Sequence, residues 1–123
     1  MKYTYDIYPD NKILRVKLTG DLHTKEVALM DTEIRMKAKE LNCKIVFDFR
    51  ETINHMSLGD AYYWFVNNFN NTLSDLKYIP IVKIVNAHDE SFFNFFGLTS
   101  NNKGGRIKIC KDEISAFHWL EQF

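Results

Sequence analysis

One change of hydrophobic rhythm constrains this chain more than any other feature. Residues 3–8 and 12–19 alternate apolar and polar side chains around the turn signal Pro9-Asp10-Asn11, the pattern of a β-hairpin. From there, stretches with three- and four-residue periodicity at 24–41, 57–76, 89–100 and 112–122 alternate with short apolar runs at 44–49, 79–86 and 106–110. The order read from this is ββαβαβαβα. Helices alternating with short strands require crossover connections, so the pattern predicts a five-stranded, mixed, mostly parallel α/β sheet whose first strand is the antiparallel exception. With 123 residues of which 46% are hydrophobic, the chain can bury one core and has no room for a second, so it is read as one domain over residues 1–123.

Charge narrows the class of partner. Sixteen Lys and Arg balance sixteen Asp and Glu, which removes the broad positive field that nucleic-acid binding requires. No window has the length and apolarity of a membrane span or the character of a secretory leader, so stable membrane insertion is not expected and the expected location is the cytoplasm. Cys43 and Cys110 stand far apart without a metal-binding spacing and predict neither a disulfide framework nor a zinc site. The Asn70-Asn71-Thr72 triplet matches a glycosylation acceptor but has no secretory context.

Strand alternation orients the sheet. Leu14, Val16 and Leu18 fall on one side of their strand, Arg15 and Lys17 on the other. Ile107 and Ile109 against Arg106 and Lys108 repeat the pattern, and Lys83 interrupts a third strand. These cations predict a partly wet sheet face, with the helices mainly on the opposite one. Helix stripes are read as Val27, Met30, Ile34, Ala38 and Leu41; as Leu58, Ala61, Tyr62, Phe65, Phe69, Leu73 and Leu76; as Phe92, Phe95, Phe96 and Thr99; and as Ala116, Trp119, Leu120 and Phe123. Leu29, Met36, Tyr63, Trp64, Phe93 and Phe117 fall outside these stripes. Such a surplus of aromatics and methionine suits a protein interface or a homodimer, although each residue alone could be a surface ring lying on its neighbours.

Polar groups collect where the strands end: Asp21, His23, Asp48, Arg50, His55, Ser57, His88, Asp89, Glu90 and Asp112. His23, Asp48, His55 and His88 could chemically serve a metal, but their spacing matches no ligand pattern. Ser57 with His55 lacks the glycines of a nucleophile elbow, and the glycines present do not form a phosphate-cradling loop. No cofactor and no enzymatic activity are expected. Thr24, Ser57 and Asp112 are read as helix N-caps, and Gly104-Gly105 as a helix stop.

Val46-Phe47-Asp48-Phe49-Arg50, leading by a short loop to Ser57-Leu58-Gly59 within this order of elements, resembles the STAS family, whose best-known members are anti-sigma-factor antagonists. In that family a strand ending in aspartate precedes an Asp-Ser-Ser-Gly motif at a helix start, and phosphorylation of the first serine switches partner binding. Counted without a gap, Ser57 falls on that serine and Gly59 on the glycine, while Met56 and Leu58 stand in place of the aspartate and the second serine. The ending Ala116-Phe117-His118-Trp119-Leu120 resembles the SpoIIAA-like branch, which is similar in turn to lipid-binding CRAL-TRIO folds. The resemblance implies a non-enzymatic regulatory interaction module with Ser57 as its candidate phosphorylation site; together with the residues outside the helix stripes, the candidate interaction surface is Leu29, Met36, His55, Gly59, Tyr63, Trp64 and Phe93. Its alternative implication is a carrier for a lipid or another amphipathic small molecule. Independently of the resemblance, a phosphate on Ser57 would meet free N–H groups and the positive end of a helix dipole. The simpler role for the same serine is a cap.

Overall fold

The computed structural model describes residues 1–69 and 74–123, the side chains of 64–69 and 74 excepted. Strand β1 (Lys2–Tyr8) turns through 9–12 into β2 (Ile13–Leu22), then come α1 (Thr24–Leu41), β3 (Lys44–Asn54), α2 (Leu58–Phe69), α3 (Ser74–Lys77), β4 (Ile81–Ile84), a 3-10 turn (Ala87–Asp89), α4 (Glu90–Asn102), β5 (Ile107–Cys110) and α5 (Glu113–Leu120). The five strands lie in their chain order, β1 antiparallel to β2 and the rest parallel. The mixed α/β sheet is therefore the one that the sequence pattern requires. The helix expected at 57–76 corresponds to α2 and α3, with residues 70–73 outside the described part.

Helices cover both faces, unequally. Leu14, Val16, Leu18, Ile45, Phe47, Phe49, Ile81, Val85 and Ile107 form one core with Met30, Ile34 and Ala38 of α1 and Phe93 of α4. On the other face Ile13, Val46, Val82 and Ile84 meet Ala116 and Leu120 of α5. Double coverage explains why Ile45, Val46 and Phe47 are all fully buried, whereas β2 alternates. β3 is longer than the apolar run that announced it. Its register against β2 slips between Lys17 and Thr19, a bulge that carries the strand on to Asn54.

Local chemistry sets the helix ends. Asn42 adopts the left-handed conformation at φ 56° and sends its N–H to the Ala38 and Lys39 carbonyls, closing α1. Asp112 accepts from the Ser115 N–H and opens α5 as expected. Thr24, in contrast, is the first helical residue of α1; His23 holds the cap position, without a side-chain bond. Gly104, at φ +94°, follows α4 where a residue with a side chain would be strained.

Three further sequence expectations are overturned. Lys83 pairs in register with Phe47 and Ile109, so it points to the face covered by α1 and α4 and not to the wet one. Phe93, read as outward, is buried at 2% exposure with Gly97 and Ser100, while Phe95 is exposed; α4 is rotated relative to its expected stripe. Leu41, Leu58 and Tyr62, read as core, are exposed. α4 and α2 are aromatic on more than one side, so their periodicity alone could not select the buried side.

Candidate functional site

The connection from β3 into α2 is organised by short hydrogen bonds. The His55 N–H donates to the Leu22 carbonyl and the Met56 N–H to Asn54 Oδ1 at 2.9 Å, bringing Ser57 to the start of α2. There Ser57 Oγ accepts from the Asp60 N–H at 3.1 Å while its carbonyl accepts from Ala61, the geometry of an N-cap. Ser57 is exposed. Around it in the chain Ile53, Leu58, Tyr62 and Tyr63 are exposed as well, Tyr63 to 72%, and the Tyr62 ring reaches that of Phe95 on α4, centroid to centroid 6.1 Å. A Cβ placed on Gly59 would meet nothing within 4 Å, so the first turn of α2 presents a hydroxyl on an open, partly apolar surface.

Beside this turn, His55 Nε2 lies 2.9 Å from Asp21 Oδ1 and its ring stacks on His23 at 5.0 Å. The hydrogen bond from His55, with the electrostatic influence of the neighbouring His55 and His23 rings, holds the Asp21 carboxyl below the usual carboxylate range.

Asp48, the aspartate on which the family resemblance turns, is engaged elsewhere. Its Oδ1 accepts from the Arg50 N–H and Nε, and its Oδ2 from Arg50 Nη2 at 2.9 Å and Arg15 Nη2 at 3.1 Å. Glu113 at the start of α5 closes the cluster by pairing with both arginines. Burial by itself would raise the Asp48 carboxyl, but the bonds from Arg50 and the charge of Arg15 outweigh it and hold it below the usual range. The wet-face cations of β2 are thus largely neutralised: Arg15 by Asp48 and Glu113, Lys17 by Glu51. This arrangement locks α5 to the sheet and leaves Asp48 without a free oxygen for a metal. Among the described residues no three His, Cys, Asp or Glu side chains converge on a point where an ion could sit.

No protein-family model matches the chain, and no curated protein matches it as a relative.

The expected interaction residues separate into three groups. Ser57, His55, Gly59 and Tyr63 are brought together at the head of α2 and all are exposed. Leu29 and Met36 are exposed along the outer side of α1. Phe93 is in the core and is no surface residue, and the side chain of Trp64 lies outside the described part. The sequence reading missed one feature and misplaced another. Glu113 follows the Asp112 cap and resembled a helix-start acid until the fold carried it to Arg15 and Arg50. Lys83 is half-buried with its ammonium 5.8 Å from the Phe93 ring centroid, and desolvation pushes its pKa down, only partly opposed by the charge of Asp31.

Among the described residues no helix is long and apolar enough to cross a membrane. A groove of about 450 Å³ at the amino ends of the parallel strands is lined by Lys12, Lys39, Lys44, Asp75 and Arg106 above Ile79, Pro80 and Phe123. Its open, half-polar lining is not the enclosed apolar pocket that a lipid tail fits best.

Proposed function

We propose that this protein is a non-enzymatic, cytoplasmic interaction module of the STAS type, and that the head of α2 is its contact surface. The observation that carries the reading is the exposed Ser57 hydroxyl on the first turn of α2, flanked by exposed Ile53, Leu58, Tyr62 and Tyr63. Apolar and aromatic side chains around a central polar group are the usual composition of a protein contact. Phosphorylation of Ser57 would add a charge of about −2 where the partner sits, and the charge would be received by the N–H groups of the first turn while Asp60 opposed it. Partner release on phosphorylation follows from desolvating that charge in a partly apolar contact.

The test is capture from native-host lysate with wild type, Ser57→Ala and Ser57→Asp, with proteins and extracted lipids identified by mass spectrometry. A protein retained by wild type and Ser57→Ala and lost by Ser57→Asp supports the switch. Equal capture by all three reduces Ser57 to a cap contributing about 1 kcal/mol to the helix. Recovery of lipid without protein replaces the interaction module with the carrier.

A further inference from the structure

The two edges of the sheet are treated differently. β5 is four residues long, and Asn101 covers its outer side: Nδ2 donates to the Ile107 carbonyl at 2.9 Å and Oδ1 accepts from the Ile107 N–H at 2.8 Å. β1, at the opposite edge, is seven residues long, straight in register along its whole length and free of proline. Among the described residues no side chain or strand covers its outer backbone groups. Long open edges invite pairing with another strand, and chains that avoid it shorten, bend or block them, as β5 does and β1 does not.

The sequence of β1 indicates what pairs with it. A two-fold axis perpendicular to the sheet and passing at Thr4 sets Lys2 opposite Asp6 of the second copy, Tyr3 opposite Tyr5, and Thr4 opposite Thr4. Every pair on one side of the axis recurs on the other. Lys2 and Asp6 lie on one sheet face, and neither makes an ion pair or side-chain hydrogen bond among the described residues. Tyr3 and Tyr5 lie on the other, held upright by α1: Tyr3 Oη donates to Glu33 at 3.0 Å, and Lys37 Nζ sits 5.2 Å from the Tyr5 ring centroid. Sliding the register by two residues one way sets Asp6 against Thr4 and Lys2 against Tyr8. A slide of four sets Asp6 against Asp6. Only the axis at Thr4 satisfies both charges and stacks both tyrosine pairs.

We infer that β1 is the interface of a symmetric homodimer in which two copies join their edges into one ten-stranded antiparallel-centred sheet, with Thr4 on the two-fold axis. Opposite charges facing each other across neighbouring strands attract and like charges repel, and here each pair occurs twice. Lys2→Asp leaves two acidic pairs and Asp6→Lys two basic ones. Either should weaken self-association by roughly tenfold or more. Equimolar mixing of the two single variants, or combining both changes in one chain, restores opposite charges at every pair.

Analytical ultracentrifugation of the full chain decides it, with circular dichroism confirming that each variant is folded. The expected result is a wild-type dimer, weaker dimers for each single variant, and recovery both in the mixture and in the double variant. A wild type that sediments as a monomer up to millimolar concentration overturns the interface. A dimer indifferent to the single reversals, or single-variant losses that neither mixing nor the double variant repairs, overturns this register.

Discussion

Asp48→Asn is the most informative single perturbation, because this carboxylate joins β2, β3 and the head of α5 through the arginines around it. Its side chain is 5% exposed, and its two oxygens accept the bonds from Arg15 Nη2 and from the Arg50 N–H, Nε and Nη2. Asparagine keeps the shape but has one acceptor oxygen, so whichever way the amide turns, two of these donors face an NH₂ group. A hydrogen bond to a charged group contributes roughly 1.5–3 kcal/mol. The loss is reduced because Arg50 is partly solvated and screened, and because Glu113 still holds Arg15. The expected cost is about 2–3 kcal/mol at pH 7, read as a lowered urea midpoint at unchanged slope. The pH dependence follows from the depressed carboxyl. Its folded-state pKa lies below the unfolded one, so the stabilisation is fully present above the ordinary carboxylate range and disappears as pH falls through the folded value. The gap between wild type and variant should therefore be widest at pH 7 and should close on acidification. A variant within about 0.5 kcal/mol of wild type at pH 7, or a gap that persists under strong acid, refutes the stabilising role given to this cluster.

Two further outcomes follow from corrected positions. Lys83→Met replaces a half-buried ammonium with an apolar chain of similar length, and is expected to leave stability at pH 7 unchanged or to raise it by up to about 1 kcal/mol. Because burial lowers the folded-state pKa of Lys83, the charged form opposes folding below that value; the gain should shrink as pH rises toward 10, and a loss above about 1 kcal/mol in urea denaturation would show that the ammonium stabilises the fold. Phe93→Ala should cost about 3–5 kcal/mol, since its ring packs on Phe49 and Phe92 in the core, whereas Met36→Gln on the outer side of α1 should stay within about 0.5 kcal/mol; a reversed ranking in thermal unfolding would restore Phe93 to the surface.

The alternation of Leu14, Val16 and Leu18 with Arg15 and Lys17, the apolar run Ile45 to Phe47 and the turn signal at Pro9-Asp10 are local patterns, and from them the α/β class and the mixed sheet follow before any coordinates. Ser57 and Asp112 as caps are equally local, because an N-cap needs only its own helix. What lay beyond the sequence depended on rotation and on distance. The side of an aromatic-rich helix that turns inward is decided by the surface it meets, so Phe93 went to the core and Phe95 to the exterior. Lys83 could be assigned to a face only once its strand had neighbours, in register with Phe47 and Ile109. The Arg15, Asp48, Arg50 and Glu113 cluster joins residues up to 98 positions apart, and no local pattern encodes such a meeting. The sequence by itself determined which elements form, because hydrogen bonding and side-chain alternation act over a few residues. The tertiary structure alone decided which groups meet, because burial and charge pairing are properties of the space between elements.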